Sequence, residues 1–350
     1  MGRIQHLPSR LICVTLVWVL AVTRLIAASE SSVAVYNITK SIPLGAPDHW
    51  DYVTYDPSTH RVFAAHETSI AVIDGRSGAI LGSVPVSGAN GVAVISSIGK
   101  GYAGSSATKS VLVFDSNRFT IRKTLPADEG TDGVVYDPAS KRVFVMEGDS
   151  QKLLVIDTDS DSVVAKIALR GKPEFAAANG AGKLYVNIAD KREIQRIDTR
   201  TATVEASWSI AACESPHGLA IDAASHRLFS TCLNSKMFVV DDEDGRIVAI
   251  LSIGFGSDTA AFDTTRKRAM SSNWDGTLSV FSAVESDHYV SMGEVPTQPL
   301  ARTMAVDSES GRVYLIAADR VDVDLSATNL RRRYGVRPGS VRLLFLDPTS

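Results

Sequence analysis

The chain has 350 residues, of which 45% are hydrophobic and 21% are charged, and its formal net charge is −3. This balance excludes a largely disordered chain. No long window carries apolar residues at helical spacing, and short apolar runs between turn residues dominate, so we expect an all-β protein.

Residues 1–28 have the features of an export signal peptide. Arg3 and Arg10 form a basic start, residues 11–22 are an apolar run, and residues 27–29 are small. The run is too short for a good membrane span. We therefore expect a periplasmic or secreted protein with no transmembrane span in the mature chain.

Arg24 is unusual this late in a signal peptide, so an uncleaved anchor remains the alternative. Removal of residues 1–28 would take away three arginines and no acid. The mature chain would then hold 33 basic and 39 acidic residues, a net charge of −6. That charge disfavours a general nucleic-acid or anionic-membrane binder.

The rest of the chain, residues 29–350, is a series of repeats. A pair of residues followed by Asp, or once by Ser, marks each unit; the pair is apolar except for Arg196-Ile197, and the marked positions are Asp74, Asp115, Asp157, Asp198, Asp241, Ser282 and Asp347. The steps between them are 41, 42, 41, 43, 41 and 65 residues. The long last step predicts an insertion near 318–340.

Each unit holds four short strands. In the third unit we expect strands at 133–136, 142–146, 152–157 and 163–169, with an Asp-Pro turn at 137–138 after the first of them. Four strands in a unit of 40–50 residues are typical of a propeller blade. The sequence therefore predicts a single domain, a seven-bladed β-propeller.

The N-terminal segment 33–44 is a spare strand that resembles the outer strand of other units, and the last unit lacks an outer strand of its own. We expect the spare strand to complete the last blade and close the ring, which removes exposed sheet edges. An open solenoid is the alternative, but it leaves the spare strand unexplained.

The chain resembles the bacterial YVTN-repeat propellers of the YncE-like kind, from about residue 36 to 350. The stretches that carry the resemblance are HWDYVTYDPSTHRVFAAH (49–66), KPEFAAANGAGKLYVNIADK (172–191), CESPHGLAIDAASHRLFSTC (213–232), SDTAAFDTTRKRAMSSNWDGTLSVF (257–281) and ARTMAVDSESGRVYL (301–315). The full YVTN tetrad does not occur, and the Arg- and Asp-rich insertion departs from the family pattern. The resemblance implies seven blades and export, and it implies little about activity.

One position per unit, at the start of the inner strand, is polar in all seven units. These positions are Asp51, Asn90, Asp132, Glu174, His217, Asp258 and Arg302. We expect them to ring one mouth of the central channel, together with the adjoining His49 and Trp50. They would either bind a ligand or cation, or simply face water.

Within this ring, Asp132, Glu174 and His217 are the candidate ligands for a divalent cation, since carboxylates and imidazole are common metal ligands. No other cofactor is indicated.

Cys213 and Cys232 are the cysteines left after export, and a hairpin brings them together. In an oxidising compartment we expect a disulfide. Two free thiols, or a metal pair with His217, are the alternatives.

The insertion carries a basic cluster, Arg331, Arg332, Arg333 and Arg337. Long loops in compact domains are usually functional or disordered. The cluster offers a contact for an acidic partner, nucleic acid or phospholipid, and a charged loop without a partner is the competing interpretation.

No linear catalytic motif is present, so the sequence favours a monomeric binding or scaffold protein with an unidentified protein or small-molecule ligand. The first alternative is a metal-dependent propeller hydrolase or lyase, such as a lactonase, with His217 as acid or base. The second is nucleic-acid binding, which the mature charge disfavours.

Overall fold

The structure, a computed structural model, describes residues 1–2, 35–323, 326 and 334–349. The chain divides into two compact units, Met1–Val33 and Ala34–Ser350, and every strand below lies in the second. Apart from residues 1 and 2, the predicted signal peptide lies outside the described residues. Among the described residues no helix is long and apolar enough to cross a membrane.

The described residues form 28 β-strands and one short 3₁₀ turn, Ser96–Ile98, which confirms the all-β prediction. All strand pairs are antiparallel, and most strands hold four to nine residues. Six large sheets and one small one result. Together they form a β-propeller with four-stranded blades.

Five of the large sheets have four strands each. Four of them follow the third to sixth repeat units in order: β8 (Thr131–Asp137), β9 (Arg142–Glu147), β10 (Lys152–Asp157) and β11 (Ser162–Ala168); β12 (Pro173–Ala178), β13 (Lys183–Ile188), β14 (Glu193–Asp198) and β15 (Thr203–Ser209); β16 (Pro216–Asp222), β17 (Arg227–Cys232), β18 (Lys236–Asp241) and β19 (Ile247–Ser252); β20 (Ser257–Asp263), β21 (Arg268–Asn273), β22 (Thr277–Glu285) and β23 (His288–Pro296).

The turns between inner and second strands form where the sequence predicts them. In the third unit, Asp137 accepts hydrogen bonds from the backbone N–H and the hydroxyl of Ser140, at 2.9 and 2.7 Å. Pro138 presets the backbone angle of the same turn. Three more Asp residues, each at or directly after the last residue of an inner strand, likewise accept backbone N–H groups of the turn that follows: Asp56, Asp263 and Asp307.

The last large sheet contains the N-terminal strand. Its members are β1 (Tyr36–Pro43), β24 (Thr303–Val306), β25 (Val313–Ala317) and β28 (Arg342–Pro348). Their order is β1-β28-β25-β24, and β1 pairs with β28 from Tyr36 opposite Pro348 to Pro43 opposite Arg342. The spare strand is thus the outer strand of the last blade, as the sequence predicts.

The first two repeat units share one six-stranded sheet, which corrects the prediction of seven separate blades to six. Its strands are β2 (Val53–Asp56), β3 (Arg61–Asp74), β4 (Ile80–Ile95), β5 (Lys100–Ser105), β6 (Ser110–Asp115) and β7 (Ile121–Pro126). The cause is β4, which pairs with β3 through Gly82 to Pro85 and with β5 through Ala89 to Ile95. No separate loop divides these two stretches.

The two halves of this sheet nevertheless pack against each other. Phe63 and Val72 of β3 lie in one buried cluster with Ala103 of β5 and Phe114 of β6. The Phe63 and Phe114 ring centroids are 6.3 Å apart. The described residues form seven such apolar clusters, and burial of these faces is the main stabilising contribution to the fold.

The insertion near 318–340 lies between β25 and β28. It contains a small hairpin, β26 (Arg320–Asp322) paired with β27 (Tyr334–Val336). The backbone N–H of Arg337 donates to the carbonyl of Asp319 at 2.8 Å. The predicted cluster Arg331 to Arg333 lies outside the described residues.

Candidate functional site at the channel mouth

Six of the seven predicted ring residues line one cavity of about 750 Å³. The full lining is His49, Asp51, Tyr52, Asp132, Lys172, Glu174, Phe175, Ala189, Asp190, Ser215, His217, Leu233, Phe255, Gly256, Asp258, Trp274 and Arg302. We call this space the mouth cavity. Four of the ring residues share one position: Asp132, Glu174, His217 and Asp258 are each the second residue of an inner strand.

Asn90 is the ring position that does not line the mouth cavity. Its side-chain Nδ2 donates to the backbone carbonyl of Thr131 at 2.8 Å. This bond ties the six-stranded sheet to the next blade. The structure therefore assigns Asn90 a contact between blades.

Glycines directly after three ring positions let the inner strands approach one another. A Cβ added at Gly91 would lie 2.5 Å from the backbone nitrogen of Val134, and one added at Gly218 would lie 2.3 Å from that of Ala260. At Gly133 it would lie 2.5 Å from the Met146 methyl carbon. At Gly91 and Gly218 the overlap is with backbone, so these two positions require glycine, whereas at Gly133 the flexible Met146 side chain could shift.

Arg302, Asp258 and His217 form a polar group on one side of the cavity. The Nη1 atom of Arg302 lies 3.2 Å from an Asp258 carboxylate oxygen, and its Nη2 donates to the carbonyl of Trp50 at 3.1 Å. His217 Nδ1 lies 2.8 Å from the carbonyl of Ser215, so Nδ1 carries the proton. Its Nε2 atom faces Asp258 at 4.0 Å.

Lys172 is the second base of the cavity, and it lies at Glu174. Its Nζ atom is 3.5 Å from the Glu174 carboxylate. Its backbone N–H donates to Asp190 at 2.7 Å. Both bases of the cavity are therefore already paired with cavity acids.

The acidic side chains of the cavity outnumber its Lys and Arg side chains, and the pKa of Asp132 reflects this excess. Five carboxylates line the cavity against one Lys and one Arg. Burial raises the pKa of Asp132 well above its usual range, and three nearby carboxylates raise it further: those of Asp51, Glu174 and Asp258. Lys172 lowers the pKa of Asp132, but by less than burial and the three carboxylates raise it. The mouth cavity thus disfavours the ionised form of Asp132.

Tyr52 and Phe175 meet beside these acids. Their ring centroids are 4.4 Å apart, and the planes are tilted by 31°. Burial raises the pKa of Tyr52 well above its ordinary value, and Asp132 adds to the effect. Tyr52 directly follows Asp51 and Phe175 directly follows Glu174, so each aromatic residue is next to an acid of the predicted channel-mouth ring. The sequence signal was available, because the corresponding residue of the other units is Gly or Thr.

A second space adjoins the mouth cavity, and we call it the side cavity. It measures about 270 Å³ and is lined by Asp48, His49, Trp50, Trp274, Leu300, Arg302, Tyr334 and Val336. The predicted secondary residues divide between the two spaces, since His49 lines both and Trp50 lines only the side cavity. Trp274 lines both as well, and sequence reasoning missed it.

The disulfide between Cys213 and Cys232 is present, with a Cα–Cα distance of 5.2 Å, and the prediction is confirmed. The backbone N–H of Leu233 donates to the carbonyl of Glu214 at 2.8 Å. The bridge therefore fastens the segment that leads to Ser215 and His217.

The structure does not bring Asp132, Glu174 and His217 together as metal ligands. Across the described ranges, no group of three or more His, Cys, Asp and Glu side chains is arranged to hold a metal ion. The three residues line the same cavity, each from the second position of a different inner strand. Lys172 and the Ser215 carbonyl also engage two of them.

Comparisons with known proteins support the fold. The chain matches solved structures of Kuenenia stuttgartiensis hydrazine synthase (TM-score 0.69, 15% identity, covering 83% of this chain and 96% of that one), the WD40 repeats of RRP9 (0.72, 10%, 89% and 97%) and U3-55K (0.73, 10%, 90% and 98%). These likenesses establish a β-propeller. No family model and no curated protein matches the chain.

Proposed function

We propose that the protein is an exported binding protein that holds a positively charged organic group in the mouth cavity. The observation that carries the proposal is the raised pKa of Asp132 inside a cavity of about 750 Å³. A cation placed among these carboxylates would relieve their mutual repulsion. A cavity of this size accommodates a small-molecule ligand or a side chain with its flanking atoms.

The aromatic residues of the cavity support a cation of the ammonium or guanidinium type. Tyr52, Phe175 and Trp274 line the same space as the acids. An organic cation gains both from carboxylates and from aromatic ring faces. A phosphate group would be repelled by the same acids, which disfavours nucleic acid at this site.

Export is part of the proposal. The N-terminal sequence has the features of a signal peptide, and disulfides persist in oxidising compartments. The resemblance to YVTN-repeat propellers points the same way. Edman sequencing or mass spectrometry of the secreted or periplasmic fraction tests it, and an intact N-terminus in the cytoplasm would reject export.

Calorimetric titration with N-acetyl-lysine amide tests the binding function. The uncharged N-acetyl-norleucine amide has a similar shape and is the matched control. We expect the lysine compound to bind and the norleucine compound to bind at least tenfold more weakly, since hydrogen bonds to charged groups contribute about 1.5–3 kcal/mol.

Asp132→Asn should weaken binding of the lysine compound about tenfold. Asp159→Asn, which changes an exposed acid paired with Lys141 away from the mouth cavity, should leave its affinity unchanged. Equal affinity for both compounds would reject the proposal.

A further inference from the structure

The side cavity shows that the space available to a ligand extends beyond the acidic group. Its wall is mainly apolar and aromatic, with Trp50, Trp274, Leu300, Tyr334 and Val336. Its volume of about 270 Å³ lies near the lower limit of ligand pockets. The space therefore suits a single large side chain.

Trp50, one of the aromatic residues of this wall, is almost entirely buried. The residue is only 5% exposed, and its indole Nε1 has no hydrogen-bond partner among the described residues. A buried indole N–H normally finds an acceptor. Because that nitrogen is inaccessible, Trp50 contributes aromatic surface to the cavity wall.

The two cavities share part of their walls. Trp274 and Arg302 line both, and the Arg302 guanidinium lies 5.5 Å from the Trp274 ring centroid and 6.0 Å from that of Trp50. A third space of about 260 Å³ also borders Trp274. A ligand with its cation at Asp132 can therefore continue over Trp274.

We propose that the ligand is a peptide, with a basic side chain in the mouth cavity and a neighbouring aromatic side chain in the side cavity. This inference rests on the proposed function. A peptide supplies both a cation for the acids and a ring for Trp50 and Trp274 within one molecule. A lone amine or inorganic cation would meet the acids and leave the side cavity unused.

Four capped peptides test the inference by calorimetry: acetyl-Gly-Lys-Trp-Gly-amide and the versions with Ala for Trp, norleucine for Lys, or both. We expect the Lys-Trp peptide to bind about three- to tenfold more tightly than the Lys-Ala peptide, the range typical of an aromatic pair. The two norleucine peptides should bind much more weakly than their Lys counterparts.

Tyr334→Ser changes a residue that lines the side cavity but not the mouth cavity, so it should reduce the preference for Trp over Ala and leave the dependence on Lys intact. Trp208→Ala is the matched control, because Trp208 also lies beside an arginine, with Arg196 5.3 Å from its ring centroid, but on an outer strand. Val336→Ser supplies a second variant confined to the side cavity should Tyr334→Ser fail to fold.

The outcomes separate the two claims. Equal binding of Lys-Trp and Lys-Ala peptides to the unaltered protein would overturn the peptide proposal while the cation site stands. Loss of the preference in Trp208→Ala as well would overturn the assignment to the side cavity. Failure of every Lys peptide to bind more tightly than its norleucine version would overturn both.

Discussion

Arg312 donates a hydrogen bond from Nη1 to the backbone carbonyl of Gly75 at 2.8 Å, although 237 residues separate them in sequence. The same guanidinium reaches Asp347 at 2.6 Å through Nε, and Tyr314 donates to the Gly75 carbonyl at 3.0 Å. The last blade is thereby fastened to the first repeat unit at the seam of the ring.

This contact belongs to a series. A basic residue at or just before the start of a second strand donates to a carbonyl in the turn of the following unit: Arg61 to Ser116, Lys100 to Thr158, Arg142 to Thr199 and Arg312 to Gly75. These bonds add direction to the packing of the apolar faces between neighbouring blades.

The first prediction concerns that seam. Arg312→Gln should lower the free energy of unfolding by about 1–2 kcal/mol, because it leaves a buried carbonyl and Asp347 without their cation. Urea denaturation followed by circular dichroism measures the change. Arg118→Gln removes an arginine that is 83% exposed and should change stability by less than about 0.5 kcal/mol. Equal losses in both variants would show that Arg312 has no special role.

The second prediction concerns the close approach of inner strands. Gly218→Ala should destabilise the protein by about 1–3 kcal/mol, because its Cβ would overlap the backbone of Ala260. At Gly148 the nearest atom to an added Cβ is the flexible Lys172 Cε at 3.1 Å, so Gly148→Ala is the matched control. Thermal melting of the two variants measures the difference. A Gly218→Ala variant as stable as the unaltered protein would contradict the packing described.

The third prediction concerns the disulfide. Replacing Cys213 and Cys232 by Ala should lower the free energy of unfolding by about 3 kcal/mol, as expected for a bridge that closes a loop of this length. A reductant should destabilise the unaltered protein and leave the double variant unchanged. Two reactive thiols in the unreduced, unfolded protein would contradict the bridge.

The fourth prediction concerns pH. A raised pKa means that folded Asp132 holds its proton at pH values where the unfolded chain has released it. Stability therefore falls as pH rises through the interval between the two pKa values. Asp132→Asn removes this loss, so the variant should be more stable than the unaltered protein at neutral pH. The advantage should vanish below the ordinary pKa of Asp.

Melting temperatures across the pH range, with Asp159→Asn as the control, test this prediction. A neutral-pH stability of Asp132→Asn at or below that of the unaltered protein would show that Asp132 is not destabilised by its surroundings.

Local patterns made much of this structure predictable. The Asp-Pro turns and apolar pairs placed the strands of the third unit within two residues at each end. The disulfide follows from the hairpin that brings Cys213 and Cys232 together. The N-terminal outer strand follows from the strand that the last repeat unit lacks. The series of basic residues was visible at the same positions, for example at Arg61 and Arg142, but its role depends on contacts between units.

What sequence reasoning missed is non-local. The sequence predicts Asn90 at the channel mouth, yet its side-chain amide donates to the backbone carbonyl of Thr131 in the next blade. Tyr52 and Phe175 meet across the channel from units that are far apart in sequence. The joining of the first two units depends on how far β4 continues past Val86. Gly88 lies there with a φ of 63°, as in a turn, yet Ala89 still pairs with Glu67 of β3 and with Ser105 of β5.

A crystal structure of the protein with bound N-acetyl-lysine amide tests the central claim most directly. The account predicts the ammonium group in the mouth cavity, within hydrogen-bonding distance of Asp132 and over the Tyr52 or Phe175 ring. A probe that saturates the protein in solution but lies outside this cavity in the crystal would contradict it.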